Sequence, residues 1–302
     1  MDPTRRALLA AAALAPLARA TGRLPTGPSA IPRISLAEWS FHRALQSGAM
    51  SHLDFAARAR KEFGLEGVEY VNQFFADKGA DFEYLSQMKK RAAEAGVASL
   101  LIMVDGEGAL GAQDLAERRT AIENHFRWIA AAAYLGCHSV RVNVAGSGTP
   151  EEHAAQAADS LHRLAAVADR YGLDVIVENH GGLSSDGAWL SGVIRRADHP
   201  RVGTLPDFGN FSIGEGKSYD RYQGTQELIP FAKALSAKSY DFDEQGSETT
   251  IDYFRMAKIA VAAGYPGWVG VEYEGDRLSE AEGVRKTIEL VRRAWTQASE
   301  AK

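Results

Sequence analysis

Residues 173–180 read LDVIVENH, entered through Gly172 and preceded by the long amphipathic run 151–171. A short apolar, β-branched stretch after a glycine-ended helical pattern reads as a buried strand. It leaves its apolar run through Glu178, Asn179 and His180. A parallel strand covered on both faces should be almost wholly apolar, so charge gathered at one end needs a reason.

The same phrase recurs on both sides. Strand candidates are RISLAEW (33–39), EGVEYV (66–71), VASLLIMV (97–104), HSVRVNV (138–144), RVGTLPD (201–207), ALSAKSYDF (234–242) and PGWVGVEYE (266–274). Helical patterns lie between them, near 52–63, 82–95, 113–135, 151–171, 187–197, 218–232, 250–263 and 278–298. Gly64, Gly96, Gly136, Gly172 and Gly264 each follow a helical run and precede a strand, where a left-handed end residue is needed. Thr149-Pro150-Glu151-Glu152 places a cap, a first-turn proline and two acids at the positive end of the helix dipole. Eight strand–helix units predict an α/β protein, a single-domain (β/α)8 TIM barrel over 33–298. The rival is an open doubly wound sheet. It is disfavoured because no G-x-G-x-x-G loop follows the first strand. Asp105-Gly106-Glu107-Gly108 follows the third strand and carries two acids, so it makes a poor pyrophosphate cradle.

The chain has 302 residues, 45% hydrophobic and 24% charged, which excludes disordered, collagenous and disulfide-stapled classes. Its one cysteine, Cys137, excludes an internal disulfide and a thiolate zinc site. A formal net charge of −5 argues against nucleic acid as the main partner. Residues 1–20 (MDPTRRALLAAAALAPLARA) pair Arg5 and Arg6 with an alanine- and leucine-rich run and end in Ala-Arg-Ala. This reads as a twin-arginine-type secretory signal, with 21–32 as a linker, and places the mature chain in the periplasm. The apolar run is too short to span a bilayer, so no membrane insertion is expected after processing.

In a barrel of this kind the chemistry sits at the C-terminal strand ends. Those ends carry Glu69, Arg141, Asn143, Glu178, His180, Asp207, Asn210, Lys238, Glu272 and Glu274. Two-residue periodicity puts Glu178 with His180, Arg141 with Asn143 and Glu272 with Glu274 on common faces. Three carboxylates at one mouth, Glu178, Asp207 and Glu272, repel one another unless protons or a cation intervene. A divalent cation (Mn, Mg, Co or Zn) suits oxygen and imidazole ligands. Trp39 and His42, after the first strand, are aromatic candidates for lining a pocket, and Glu69 is read as a substrate-binding or Arg141-bracing group. His125 and Trp128 read as helix–barrel packing, and His153, His162 and His199 as surface residues.

The strand-ending set VENH (177–180), LPDFGN (205–210), KSYDF (238–242) and VEYEG (271–275), with EYVNQFF (69–75), RVN (141–143) and AGYPGWVGVEYEG (263–275), resembles the sugar phosphate isomerase/epimerase group of xylose isomerase-like barrels. The resemblance covers nearly all of 33–298. It implies a metal held by Glu178, Asp207, the seventh-strand position and Glu272, with the two glutamates moving a proton. The seventh-strand position departs: where the family reads H-x-K-D, this chain reads Lys238-Ser239-Tyr240-Asp241. A protonated lysine has no lone pair to give. Either the metal stays and His180, or behind it Asn210, completes its shell, or Lys238 supplies the positive charge as an electrostatic clamp.

The expected function is abstraction of a proton next to a carbonyl of a sugar or sugar derivative, giving isomerisation or epimerisation. Glu178 and Glu272 are the expected acid and base, with Lys238 the third catalytic candidate. Arg141, Asn143, His180, Asn210, Glu69, Trp39 and His42 are the expected substrate contacts. Two alternatives are a lyase or dehydratase acting on 3-keto-glycosides or inososes, and a non-catalytic sugar-binding barrel. Endonuclease IV shares the fold, but its chemistry needs several histidines on the strand ends, and only His180 is so placed.

Overall fold

The computed structural model describes residues 32–301. The expected signal (1–20) and all but the last residue of the expected linker (21–32) lie outside the described residues.

Eight parallel strands form one curled sheet. They are β1 (Arg33–Ala37), β2 (Gly67–Val71), β3 (Ala98–Met103), β4 (Ser139–Val142), β5 (Asp174–Glu178), β6 (Val202–Leu205), β9 (Leu235–Ser239) and β10 (Trp268–Tyr273). Their order is β6-β5-β4-β3-β2-β1-β10-β9, so first and last barrel strands are neighbours and the sheet turns back on itself. The seam between β6 and β9 is made by two parallel bridges, Thr204 to Ala232 and Asp207 to Ser236. Pro206 has no N–H to give a ladder. The seam is closed instead by Ser236 N donating to the Pro206 carbonyl and Phe208 N donating to the Ser236 carbonyl, both at 3.0 Å.

Helices α2 (Phe55–Phe63), α3 (Phe82–Ala95), α4 (Leu115–Leu135), α5 (Pro150–Ala168), α6 (Gly187–Ala197), α7 (Arg221–Leu228), α8 (Tyr253–Ala262) and α9 (Glu280–Glu300) cover the outside, and a short α1 (His42–Gln46) follows β1. Gly64 and Gly136 end α2 and α4 at φ +67° and +85°, the left-handed position that glycine adopts without a Cβ clash. Thr149 and Glu152 form a reciprocal capping box at α5. The expected helix 218–232 is shorter. A hairpin of β7 (Ser212–Gly214) and β8 (Lys217–Ser218) precedes it, and Asp220 starts α7 by accepting from Tyr222 N and Gln223 N. Two glycines flanking Glu215, itself at φ +52°, make that turn.

The main core lies between sheet and helices, where Phe55, Tyr70, Trp128 and Tyr253 are buried. Trp128 packs edge-on to Phe75 and donates to Glu107 at 2.7 Å, as helix–barrel packing requires. His153 is not a surface residue: it is buried, with Nε2 2.6 Å from the Val144 carbonyl oxygen. A second, smaller core of Ala37, Val71, Leu101, Met103, Ile176, Leu205 and Ala234 fills the inside of the sheet. It is small because polar side chains take much of the remaining interior.

Glu69 is one of these. It is fully buried, accepts from Ser35 Oγ at 2.6 Å and does not line the mouth cavity described below. Its expected contact with substrate hydroxyls is therefore corrected: mid-strand on β2, it sits below the strand ends, inside the barrel. A Cβ on Gly270 would lie 2.6 Å from both Glu69 carboxyl oxygens. Gly270→Ala is expected to destabilise the fold by about 1–3 kcal/mol through overpacking, read as a lower denaturation midpoint with unchanged urea slope.

Candidate active site

In-register pairing of β9 and β10 sets Gly270 beside Ser236 and Glu272 beside Lys238. The two-residue period then carries Glu274 to the same face, one step beyond the strand end. Lys238 Nζ lies 3.0 Å from Glu272 Oε1 and donates at 3.0 Å to Glu274 Oε2. Glu274 Oε1 in turn accepts from Trp39 Nε1 at 2.7 Å. Trp39 stacks on His42 at 4.9 Å and on Phe74 at 5.8 Å. On the other side, Ser236 Oγ donates to Asp207 Oδ2 and lies 3.4 Å from Glu272 Oε2. Lys238 thus points between Glu272 and Glu274, and Ser236 fills the gap between Asp207 and Glu272.

A second cluster lies across the mouth. Arg141 Nη1 donates to Asp105 Oδ1 at 2.6 Å, and Arg141 Nε stands 2.9 Å from Glu178 Oε2 without hydrogen-bond alignment. Asn143 Nδ2 also donates to Asp105 Oδ1, at 2.6 Å. Asn210 Nδ2 donates to Glu178 Oε1 at 3.0 Å, while its backbone N–H donates to Asp207 Oδ1 at 2.7 Å and ties the two clusters together. Asn179, on the opposite face of β5, braces the loop by bonding Asp207 and Asn210 backbone groups.

The cavity between the clusters measures about 320 Å³. Trp39, Arg141, His180, Lys238, Glu272 and Glu274 line it, as do Asp105 and Gln73, which the strand-end reading did not include. Glu178 and Asp207 stand behind this wall, both buried; His42 and Asn143 hold the wall residues Trp39 and Asp105, and Asn210 holds Glu178 and Asp207. Asp105 carries one sequence signal, an acid directly after the third strand candidate.

Burial sets the electrostatics. It pushes Glu178 up to about 7 against the pull of Arg141, and Asp207 up to about 7 against the pull of Lys238. Burial likewise holds Glu69 at about 8. Asp105 is also partly buried, but Arg141 outweighs that and holds it at about 2. Burial, then Arg141 and Lys238, lower His180, which keeps its imidazole neutral. Burial opposes the charge on Lys238, yet the surrounding carboxylates raise it well above its ordinary value.

Glu178, Asp207 and Glu69 therefore bind protons more readily in the folded chain than in the unfolded one. Their contribution to stability is fully present below about pH 4 and is lost as pH rises through about 7 to 8. Asp105 acts oppositely, its contribution present above about pH 4 and lost as pH falls through about 2. The melting temperature is expected to fall steadily from pH 5 to pH 8 at constant ionic strength; calorimetry showing a rise over that interval contradicts these assignments.

The family model described as xylose isomerase-like TIM barrel matches residues 57–294. The chain belongs to this family. Among solved structures of similar fold is 3-keto-D-glucoside 4-epimerase of E. coli, 18% identical, covering 87% of this chain and 99% of that one, with a TM-score of 0.66. Another is a xylose isomerase-like TIM barrel protein of Mycobacterium smegmatis in complex with magnesium, 18% identical, covering 89% and 99%, with a TM-score of 0.64. Among curated proteins, the C-glycoside deglycosidase alpha subunit of Arthrobacter globiformis is 32% identical over 78 residues. That match spans 24% of this chain and 22% of the curated protein's length.

A divalent metal bound in a xylose isomerase-like barrel needs carboxylate or imidazole lone pairs converging on one point. The expected ligands Glu178, Asp207, Glu272 and His180 do not offer this here. Both Asp207 oxygens accept hydrogen bonds, Oδ1 from the Gly209 and Asn210 backbone N–H groups and Oδ2 from Ser236. Arg141 and Asn210 face Glu178, and Lys238 and Ser236 face Glu272. Among the described residues no group of three or more His, Cys, Asp and Glu side chains is placed to hold a metal ion. The donor set does not fit the cation. Among the described residues, too, no helix is long and apolar enough to cross a membrane.

Proposed function

We propose that this barrel is an enzyme that removes a proton from the carbon next to the carbonyl of an unphosphorylated keto sugar; protonation from solvent on the opposite face of that carbon epimerises the sugar, and protonation at the former carbonyl carbon isomerises it. The observation that carries the reading is a carboxylate on the cavity wall, Glu272, held beside a buried ammonium, Lys238. Glu272 is the group that takes the proton. Arg141 and Asp105 meet substrate hydroxyls, and the Trp39 face meets the C–H side of the ring. Glu178, behind Arg141, orients that guanidinium rather than touching substrate.

The absence of a phosphate in the substrate follows from charge. The wall carries Asp105, Glu272 and Glu274, and its two cations, Arg141 and Lys238, each already face two carboxylates. A phosphate dianion entering this cavity meets no uncommitted positive charge. The arginine-led segment at 1–20 points the same way, because an exported enzyme meets free sugars and glycosides. Similarity to a 3-keto-D-glucoside epimerase supports a keto sugar.

A second reading is β-elimination, in which the same proton abstraction expels a leaving group from the next carbon. The 78-residue match to a C-glycoside deglycosidase subunit favours it. Turnover of a panel of 3-keto-glycosides, ketoses and inososes separates the readings. A stereoisomer or aldose–ketose pair supports the first, and a released aglycone or an enone supports the second. Binding without any turnover across the panel identifies a sugar-binding barrel and overturns both.

A further inference from the structure

We propose that the site works without a divalent cation: the Lys238 ammonium is the fixed positive charge that meets the oxyanion formed on deprotonation, and Glu274 holds it in position. This rests on the proton-abstraction reading above and deepens it. Three observations carry it. Lys238 is 2% exposed yet reaches the cavity wall, its stem laid against Gly209, where a Cβ would come within 3.1 Å of Lys238 Cγ and Cδ. Its Nζ has three N–H bonds; two face Glu272 and Glu274, each at 3.0 Å, which leaves one for a substrate oxygen. The carboxylates that would otherwise converge on a cation are already met by Arg141, Ser236, Asn210 and backbone N–H groups.

The charge arithmetic of the step is favourable. Glu272 takes the proton, the C–H electron pair becomes the new C=C bond, and the carbonyl π pair moves onto oxygen. Glu272 loses its negative charge as the substrate oxygen gains one, so the anion beside Lys238 moves across its ammonium without changing the total. Such a preorganised donor needs no reorganisation during the reaction. A divalent ion placed beside Glu272 would instead stand next to the ammonium, a like-charge contact. Glu274 is a positioning residue: it links the ammonium to the indole N–H of Trp39, so the charged and aromatic walls are set together.

The test uses the full chain, treated with chelator and desalted. Elemental analysis of the chain before that treatment is expected to find far less than one metal per chain. Calorimetric titration with MnCl2, MgCl2 and ZnCl2 is expected to show no saturable binding that Glu272→Gln removes. Stoichiometric binding that Glu272→Gln abolishes overturns the proposal, whatever the activity. In the panel assay, turnover is expected to be unchanged by chelator or added Mn2+, and Lys238→Ala to lose roughly 10²–10³-fold, partly regained with ethylammonium. Restoration of activity by Mn2+ instead of the amine overturns it. Should Lys238→Ala fail to fold, Lys238→Arg keeps the charge, and its turnover must stay indifferent to chelator. Glu274→Gln is expected to lower kcat while KM holds; a raised KM at constant kcat rejects the positioning role. If no sugar is turned over, the proton-abstraction reading fails, and the metal titration still decides this one.

Discussion

Glu272→Gln lowers turnover by roughly 10²–10⁴ and leaves the fold intact. Glutamine keeps the shape of the side chain, and Lys238 keeps Glu274 as its counter-ion, so the buried ammonium is not stranded. What is lost is the one carboxylate of the expected catalytic pair that stands on the cavity wall. Glu178→Gln makes the contrast. Its carboxyl lies behind the wall, against Arg141 and Asn210, so its removal loosens a guanidinium and is expected to cost about tenfold. The check is kcat and kcat/KM for both variants on one substrate, with melting curves alongside. Equal losses contradict the placement of Glu178 as a supporting residue.

The second large effect is on stability. Arg141→Met strips the cation from Asp105 and Glu178 together, and breaking a buried pair by removing one partner costs about 3–5 kcal/mol. The cost should be larger at pH 8 than at pH 5.5. At the lower pH Glu178, which sits near 7, carries its proton and strands no charge, so only Asp105 suffers. Urea denaturation of the variant and the parent chain at the two pH values measures this. A loss that is equal at both removes Glu178 from the pairing.

Much of the fold was legible because a parallel barrel repeats one physical pattern. Each strand is a short apolar run, each helix end is marked by a glycine or a cap, and the alternation continues around the sheet. The hairpin at 212–218 escaped that reading, since five exposed strand residues carry no apolar period and Ser218 read as the start of the helix 218–232. The site was legible where two-residue periodicity applies. Arg141 with Asn143 and Glu272 with Glu274 do share partners, Asp105 and Lys238 respectively. Depth was not legible. Glu69 and Glu272 are both acids inside β-rich runs, yet one is sealed beneath the mouth and the other faces it, because Glu69 is mid-strand in β2 and Glu272 is next to the last residue of β10. Ser236 gave no signal, since a serine inside a strand is read as filler until its neighbours Asp207 and Glu272 are known. The departure at Lys238 was visible, but its consequence depended on whether the carboxylates turned toward a common point or toward protein donors.

The most direct test of the central claim is wash-in of solvent deuterium. The chain is incubated in D2O with a keto sugar from the panel, and the recovered sugar is read by proton NMR. Proton abstraction by Glu272 predicts loss of one proton signal, at the carbon next to the carbonyl, at a rate that Glu272→Gln suppresses and chelator does not change. Turnover to a new isomer with no deuterium at that carbon, or exchange undiminished in Glu272→Gln, contradicts it.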